Sequence, residues 1–298
     1  MRQEKKKSIS SVGMSALLLT MFAVATIMSG CSKSDDNSDG EKTFITVKGS
    51  DTMVHLVSTW AEVFMKENPG LEVSVTGGGS GTGIAALLNG TTDICAASRN
   101  IKDKETKLAS QKGIVPKEIV VARDGIAVIV NPANPVAELT VEQIGKIFTG
   151  ATQRWDQVGG QAESIEILSR ESSSGTYVFF QEKVLNKKDY AQKAKLMPAT
   201  SAIVQSVASN KNAIGYVGLG YAIAAKDKIK VLAVKADDSS TSVIPSEQTV
   251  KSGEYEIARP LQLYTNGDVT GVVKKFIDFC LSSQGQEIVT QTGYVTVQ

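Results

Sequence analysis

The sequence predicts an α/β fold with largely parallel strands, on two observations. Short β-favouring apolar runs alternate along the chain with stretches whose apolar residues fall at helical spacing. Three times, moreover, a strand-like run passes through a loop of glycines and hydroxyls straight into a helix. Residues 44–48 lead into Gly49-Ser50-Asp51-Thr52; residues 71–76 lead into Gly77-Gly78-Gly79-Ser80-Gly81-Thr82-Gly83; residues 165–168 lead into Ser169-Arg170-Glu171-Ser172-Ser173-Ser174-Gly175-Thr176. A loop in that position offers unpaired backbone N–H groups and the positive end of a helix dipole. With its glycines, its hydroxyls and the charge of Arg170, it is suited to a tetrahedral oxyanion, and three such N-termini can face one small ligand.

In chain order, residues 1–7 are basic, residues 12–28 are nearly all apolar, and Ser29-Gly30-Cys31 closes the segment. This is an export signal. The apolar run is close to the minimum length of an uncleaved membrane anchor, but small residues directly before a cysteine resemble the lipobox of bacterial lipoproteins. Residues 1–30 are then a removed signal peptide and Cys31 the lipidated first residue. Residues 32–42, SKSDDNSDGEK, hold no apolar side chain, so residues 31–42 form a solvated tether. Removing residues 1–30 takes away Arg2, Lys5, Lys6, Lys7 and Glu4, which leaves 28 basic and 30 acidic residues, a net charge of −2. A near-neutral body argues against nucleic acid as a partner.

About 255 residues remain, enough for two domains of ordinary size or one large one. Met53, Val57, Trp60, Ala61 and Phe64 fall on one face of a helix that Asn68-Pro69-Gly70 stops. His55, the single histidine, rides on that helix and has no partner histidine for a metal or nucleophilic site. Leu71, Val73 and Val75 alternate as a strand, and strands are expected again at 93–97, 119–121 and 126–130. Asn131-Pro132-Ala133-Asn134-Pro135 breaks the chain before a helix over 138–148. The run from Ala213 to Tyr221 reads as a strand whose glycines allow close packing, and residues 272–281 as a terminal helix. Cys95 and Cys280 lie in apolar runs and are expected as buried free thiols. There is no Cys/His cluster with metal spacing.

The strand at 126–130 is read as a first crossing between domains, and Arg259-Pro260-Leu261 as the crossing back. Two crossings make one domain discontinuous: residues 43–126 with 260–298, the other being 127–259. The glycine-rich loop lacks the Gly-Lys-Ser/Thr ending of a nucleotide P-loop, so nucleotide binding is not supported. Its successive N–H groups, with Ser80 and Thr82, can still cradle an anion.

The ordered set Gly-Ser-Asp-Thr, Gly-Gly-Gly-Ser-Gly-Thr-Gly, Asp-Ile-Cys-Ala-Ala-Ser-Arg, Ser-Arg-Glu-Ser-Ser-Ser-Gly-Thr and Ala-Ile-Gly-Tyr-Val resembles the phosphate-binding proteins of bacterial phosphate ABC transporters, from about residue 44 to the C-terminus. The resemblance implies a two-domain class II periplasmic binding protein fold, with two crossover strands and an interdomain ligand cleft, and no catalysis. It places Arg170, Ser174, Gly175 and Thr176 in one phosphate loop, where the neighbouring Ser173 is a further candidate, Ser80 in a second, Ser50, Asp51 and Thr52 in a third, and Ser98 in a fourth. One departure matters. The best-known members have an aspartate after that last serine, accepting the phosphate proton, whereas here Ser98 is followed by Arg99.

Such an acceptor separates phosphate, which keeps a proton at neutral pH, from sulfate, which cannot donate. Asp51 is the expected relocated acceptor, with Glu171 the other candidate. Arg99 is expected either as a second guanidinium on the anion or as the partner of a neighbouring acid. The function implied is an exported, lipid-anchored, monomeric receptor that binds inorganic phosphate and delivers it to an ABC-transporter permease, without cofactor or metal. The alternatives are a receptor for sulfate, molybdate or tungstate, or an exported phosphoryl- or acyl-transfer enzyme using Ser80 or Ser174.

Overall fold

The computed structural model describes residues 42–297; the expected export signal, Cys31 and all of the expected tether but Lys42 lie outside them. The described chain opens with β1 (Phe44–Gly49), a single 3-10 turn at Asp51–Met53 and α1 (Val54–Glu67). Then come β2 (Glu72–Thr76), α2 (Ser80–Leu88), β3 (Ile94–Ala97), α3 (Asp103–Gln111) and the long β4 (Pro116–Val130). A second half follows: β5 (Glu138–Thr140), α4 (Val141–Phe148), β6 (Glu166–Arg170), α5 (Gly175–Lys183), β7 (Lys195–Met197), α6 (Thr200–Ser209), β8 (Ala213–Gly218), α7 (Leu219–Ala224), β9 (Lys230–Val231), β10 (Ala233–Lys235) and α8 (Glu247–Ser252). β11 (Ala258–Asn266) returns to the first half, which α9 (Gly271–Leu281) and α10 (Ser283–Gln291) complete.

The strands line up as β2-β1-β3-β11-β4-β8-β6-β7, with β9 on β4. Within each half the pairs are parallel, β1 with β2 and β3, β6 with β7 and β8. The two connecting strands are antiparallel, because one leaves the first half and the other re-enters it. β4 pairs with β11 over residues 116–125 and with β8 over residues 126–130, so it belongs to both halves. The strands expected at 119–121 and 126–130 are one strand. The strand is continuous because Asp124 stands directly opposite Arg259 on β11, and a charge with a cross-strand partner does not break a ladder.

Helical spacing on α1 translates into burial of Leu56, Val57, Trp60, Ala61 and Phe64, while His55 is exposed. Phe64 meets Phe276 edge-on with ring centroids 5.2 Å apart, and the Trp60 indole donates to the Gly285 carbonyl at 2.7 Å. In the second half Phe180 stacks on Tyr216 at 4.0 Å within a core that includes Ile126, Phe148 and Trp155. Burying each such side chain contributes about 1.5–3 kcal/mol. These two cores hold the two sets of loops rigidly at the seam between them.

Two element boundaries differ from expectation for identifiable reasons. Residues 138–148 divide into β5 and α4 because Thr140 and Gln143 form a reciprocal capping box, which starts the helix at Val141. β8 ends at Gly218 instead of running to Tyr221, since the buried Asp124 carboxylate accepts the Leu219 N–H at 2.9 Å and starts α7 there. α5 ends at Lys183, with Val184 and Leu185 still buried in the second core. The strand glycines do serve close packing: a Cβ on Gly215 would lie 2.5 Å from Ile203 Cγ2.

Cys95 and Cys280 are free and buried, as expected. Burial pushes the Cys95 thiol up to about 12 and the Cys280 thiol well above its ordinary value. Since the thiolate is the nucleophile, protein spanning residues 32–298 is expected to resist an aromatic disulfide reagent at pH 8 and to titrate both thiols once unfolded. Fast labelling of either thiol in the native state contradicts that burial.

Candidate anion-binding site

The loops after β1, β2, β3 and β6 meet at the seam between the halves. Ser50, after β1, donates its hydroxyl to Ser98 Oγ at 2.8 Å. Ser98 N–H, after β3, donates to Ser80 Oγ at 3.0 Å, and the Ser80 and Ser98 hydroxyls lie 3.3 Å apart. Ser80 opens α2, preceded by Gly79 at φ 101°, a left-handed conformation that favours glycine. From the other half, Ser174 caps α5 by accepting the Thr176 and Tyr177 N–H groups at 3.2 and 3.4 Å. Gly175 follows, so close to the first half that a Cβ there would fall 2.3 Å from Ser80 Oγ and 2.6 Å from Ser98 Oγ.

Several bonds cross the seam. Thr52 and Thr176 hydroxyls are 2.7 Å apart, Gly81 N–H donates to the Ser173 carbonyl at 2.9 Å, and Ser173 Oγ donates to the Gly78 carbonyl at 3.3 Å. Asp51 reaches furthest: its Oδ2 accepts the Thr200 N–H at the start of α6 at 2.8 Å and lies 3.2 Å from Arg170 Nη1.

Arg170 ends β6 and is almost fully buried, with its guanidinium held on every side. Nη1 donates to Thr200 Oγ1 at 2.7 Å, Nη2 to the Pro198 carbonyl at 3.0 Å and Nε to the Met197 carbonyl at 3.3 Å. Beneath it Tyr216 Oη lies 2.7 Å from Ser169 Oγ and 2.9 Å from Tyr190 Oη. Burial holds the Tyr216 phenol above its ordinary value, so this support stays neutral. A fork fixed in this way has little freedom left to lose on meeting a ligand.

Of the residues singled out in the sequence, Ser50, Asp51, Thr52, Ser80, Ser98, Arg170, Ser173, Ser174, Gly175 and Thr176 are brought together here. Glu171 is exposed. Arg99 takes the second of its two expected positions: Nη1 and Nη2 make a paired contact with the Glu105 carboxylate, each at 2.8 Å, inside the first half. It borders the cluster, with Nη2 3.6 Å from where a Gly81 Cβ would be. Burial raises the Glu105 carboxyl, but its bonds to Arg99 and to Lys102 N–H outweigh that and hold it below the usual range. Arg99→Ala is therefore expected to lower stability by about 1–3 kcal/mol, by stranding a half-buried carboxylate, while changing anion affinity less than about threefold. A large loss of affinity at unchanged stability would return Arg99 to the anion.

The sequence reading missed one pair at this seam. Asp124 and Arg259 are both buried, with Nη2 2.9 Å and Nε 3.3 Å from Asp124 Oδ2. Arg259 Nη1 also donates to the Ser98 carbonyl at 2.8 Å and Nη2 to Thr176 Oγ1 at 2.9 Å. Burial pushes the Asp124 carboxyl upward while the adjacent guanidinium pulls it back. The available signal was an Asp at the start of an apolar run, residues 125–130, but nothing in the sequence gave its partner. Arg170, Arg259 and Arg99 each face a carboxylate, so the cluster offers oriented donors more than excess positive charge.

Two α/β halves joined by two antiparallel crossing strands, with hydroxyl, amide and guanidinium donors gathered on the seam, define a two-domain binding protein of the periplasmic type. A family model described as a PBP superfamily domain matches residues 32–284. The phosphate-binding protein PstS of Staphylococcus saprophyticus is 38% identical over 260 residues, which cover 86% of this chain and 81% of that one. PstS of Pseudomonas aeruginosa is 31% identical over 264 residues, covering 83% and 81%. Among solved structures, one from Clostridium perfringens, described as a phosphate ABC transporter substrate-binding protein with bound phosphate, superposes with a TM-score of 0.78 at 31% identity, covering 86% of this chain and 100% of that one. An ABC-type phosphate transport receptor from Vibrio cholerae gives 0.68 at 28% identity, covering 85% and 99%. The chain belongs to the phosphate-binding proteins of bacterial phosphate ABC transporters.

Proposed function

We propose that this chain is an extracytoplasmic receptor that captures inorganic phosphate between its two halves and delivers it to an ABC-transporter permease. The observation that carries this reading is the convergence on one seam of buried donors from both halves: Ser50, Thr52, Ser80 and Ser98 from one, and Arg170, Ser174, Gly175 and Thr176 from the other. An oxyanion held by both sets favours the closed arrangement in proportion to its differential affinity for it. The halves are residues 43–126 with 260–298, and 127–259, hinged at the two crossing strands. A lipid at Cys31 tethers the monomeric receptor to the membrane. Among the described residues no helix is long and apolar enough to cross one.

Catalysis is not part of this reading. Ser80 Oγ accepts from Ser98 N–H and Ser174 Oγ from the α5 amides, while His55, the single histidine, stands exposed on α1.

Asp51 supplies the acceptor for the phosphate proton. Its carboxylate sits beside Arg170 at the cluster, whereas the rival Glu171 points to solvent. Calorimetric titration of protein spanning residues 32–298, refolded free of ligand, is expected to show phosphate binding at micromolar Kd or tighter, roughly −8 kcal/mol, and no heat with sulfate. Asp51→Asn is expected to narrow the phosphate-over-sulfate preference at least about tenfold, as loss of a charged hydrogen bond would. Sulfate or molybdate binding to the unsubstituted protein would make it a receptor for another oxyanion, and an unchanged preference in Asp51→Asn would remove Asp51 from this role.

A further inference from the structure

The Asp124–Arg259 pair touches both crossing strands and both sets of anion loops. Asp124 lies on β4 and Arg259 directly opposite on β11, at the point where β4 changes partner from β11 to β8. From this position Arg259 donates to the Ser98 carbonyl, in a loop of the first half, and to Thr176 Oγ1, in the first turn of α5 in the second half. Asp124 Oδ1 accepts the Leu219 N–H of the second half. The Arg259 guanidinium also lies 5.3 Å from the centroid of the Phe179 ring, on the same helix as Thr176. Both side chains are almost fully buried, and the carboxylate accepts from the backbone and from two guanidinium nitrogens.

Resting on the reading of the seam as a phosphate site, we infer that Asp124 and Arg259 are positioning residues that preset the loops of both halves as hydrogen-bond donors. The chemistry lies in the direction of the hydroxyl bonds. A threonine hydroxyl has one proton, and once its oxygen accepts from Arg259 that proton is left to donate. Thr176 Oγ1 is in this state, with Thr52 Oγ1 its neighbour at 2.7 Å. Similarly, the Ser98 carbonyl held by Arg259 fixes the peptide next to the Ser98 N–H, which donates to Ser80 Oγ and leaves the Ser80 proton to donate, with Ser98 Oγ its neighbour at 3.3 Å. Asp124 seats the guanidinium so that its remaining N–H groups face these two acceptors. Because the pair sits at the hinge, the same contacts tie the orientation of the donors to the angle between the halves.

Asp124→Asn tests this by the sign of the effect. The substitution keeps the shape and an acceptor for Leu219 N–H, but leaves Arg259 unseated and its charge uncompensated beside the anion. If only charge mattered, phosphate would bind more tightly; if the pair only held the fold together, thermal stability would fall with Kd unchanged. Positioning predicts phosphate binding weakened about tenfold, the scale of one charged hydrogen bond. Arg259→Lys, which keeps the charge but not the fork, is expected to weaken phosphate binding by a similar factor. In a Thr176→Val background that factor is expected to shrink at least about threefold, because the hydroxyl through which Arg259 acts is gone. Calorimetry on the purified full-length protein reads all four variants. Unchanged or tighter binding in Asp124→Asn, or the same loss from Arg259→Lys in both backgrounds, overturns the inference while leaving the phosphate site standing. Absence of phosphate binding by the unsubstituted protein overturns both.

Discussion

Arg170→Met is expected to raise the Kd for phosphate by about 100- to 1000-fold, the loss of roughly 3–4 kcal/mol when one partner of a buried charged contact is removed. Two effects act together. The anion loses a guanidinium already locked by Thr200, Pro198 and Met197, so no ordering cost offsets the loss. The Asp51 carboxylate, 3.2 Å from Nη1, also loses its counter-charge and then repels the incoming anion. Part of the loss therefore belongs to Asp51. Combining Arg170→Met with Asp51→Asn should cost less than the product of the two single factors. Calorimetric titration of the three variants measures this; an Arg170→Met protein within about tenfold of the unsubstituted affinity would place the anion elsewhere.

Gly175→Ala is expected to weaken phosphate about 10- to 100-fold, the equivalent of the 1–3 kcal/mol that overpacking costs. The added methyl would lie 2.3 Å from Ser80 Oγ and 2.6 Å from Ser98 Oγ, and 3.0 Å from Ser80 Cβ. These atoms belong to the other half and to loops that start from buried strands, so they give way only if the halves move apart. The cost should consequently fall on closure and not on folding: thermal stability without phosphate stays close to the unsubstituted value, while the stabilisation that saturating phosphate adds is reduced. Scattering gives a second reading, since phosphate should no longer compact the substituted protein. Unsubstituted affinity in Gly175→Ala would mean that the seam opens at this point with the anion bound.

Much of the site was legible because its parts are local. A strand, a glycine or hydroxyl turn and a helix start are contiguous in sequence, and each of the loops at Ser50, Ser80 and Ser174 carries that signature within about a dozen residues. Arg170 stood out for the same reason. What escaped detection was long-range. Arg259 and Asp124 are neighbours only through antiparallel pairing of β4 with β11, so the sequence marks Arg259 as part of a crossing segment without giving its partner. The fate of Arg99 also turned on three-dimensional geometry, since its choice of Glu105 over the cluster depends on how α3 packs after β3.

By itself, then, the sequence determined the α/β alternation, the three anion-type loops, the near-neutral body and the arginine-and-hydroxyl chemistry, because periodicity and turn composition are properties of neighbouring residues. Only the tertiary structure decided that β4 runs unbroken through both halves, that Asp51 clasps Arg170 and the start of α6 across the seam, and that a buried pair at the crossing strands holds both sets of loops. The physical reason is common to all three. A charge can enter a buried strand or seam only with a partner, and that partner is supplied by a segment far away along the chain, brought opposite by sheet register.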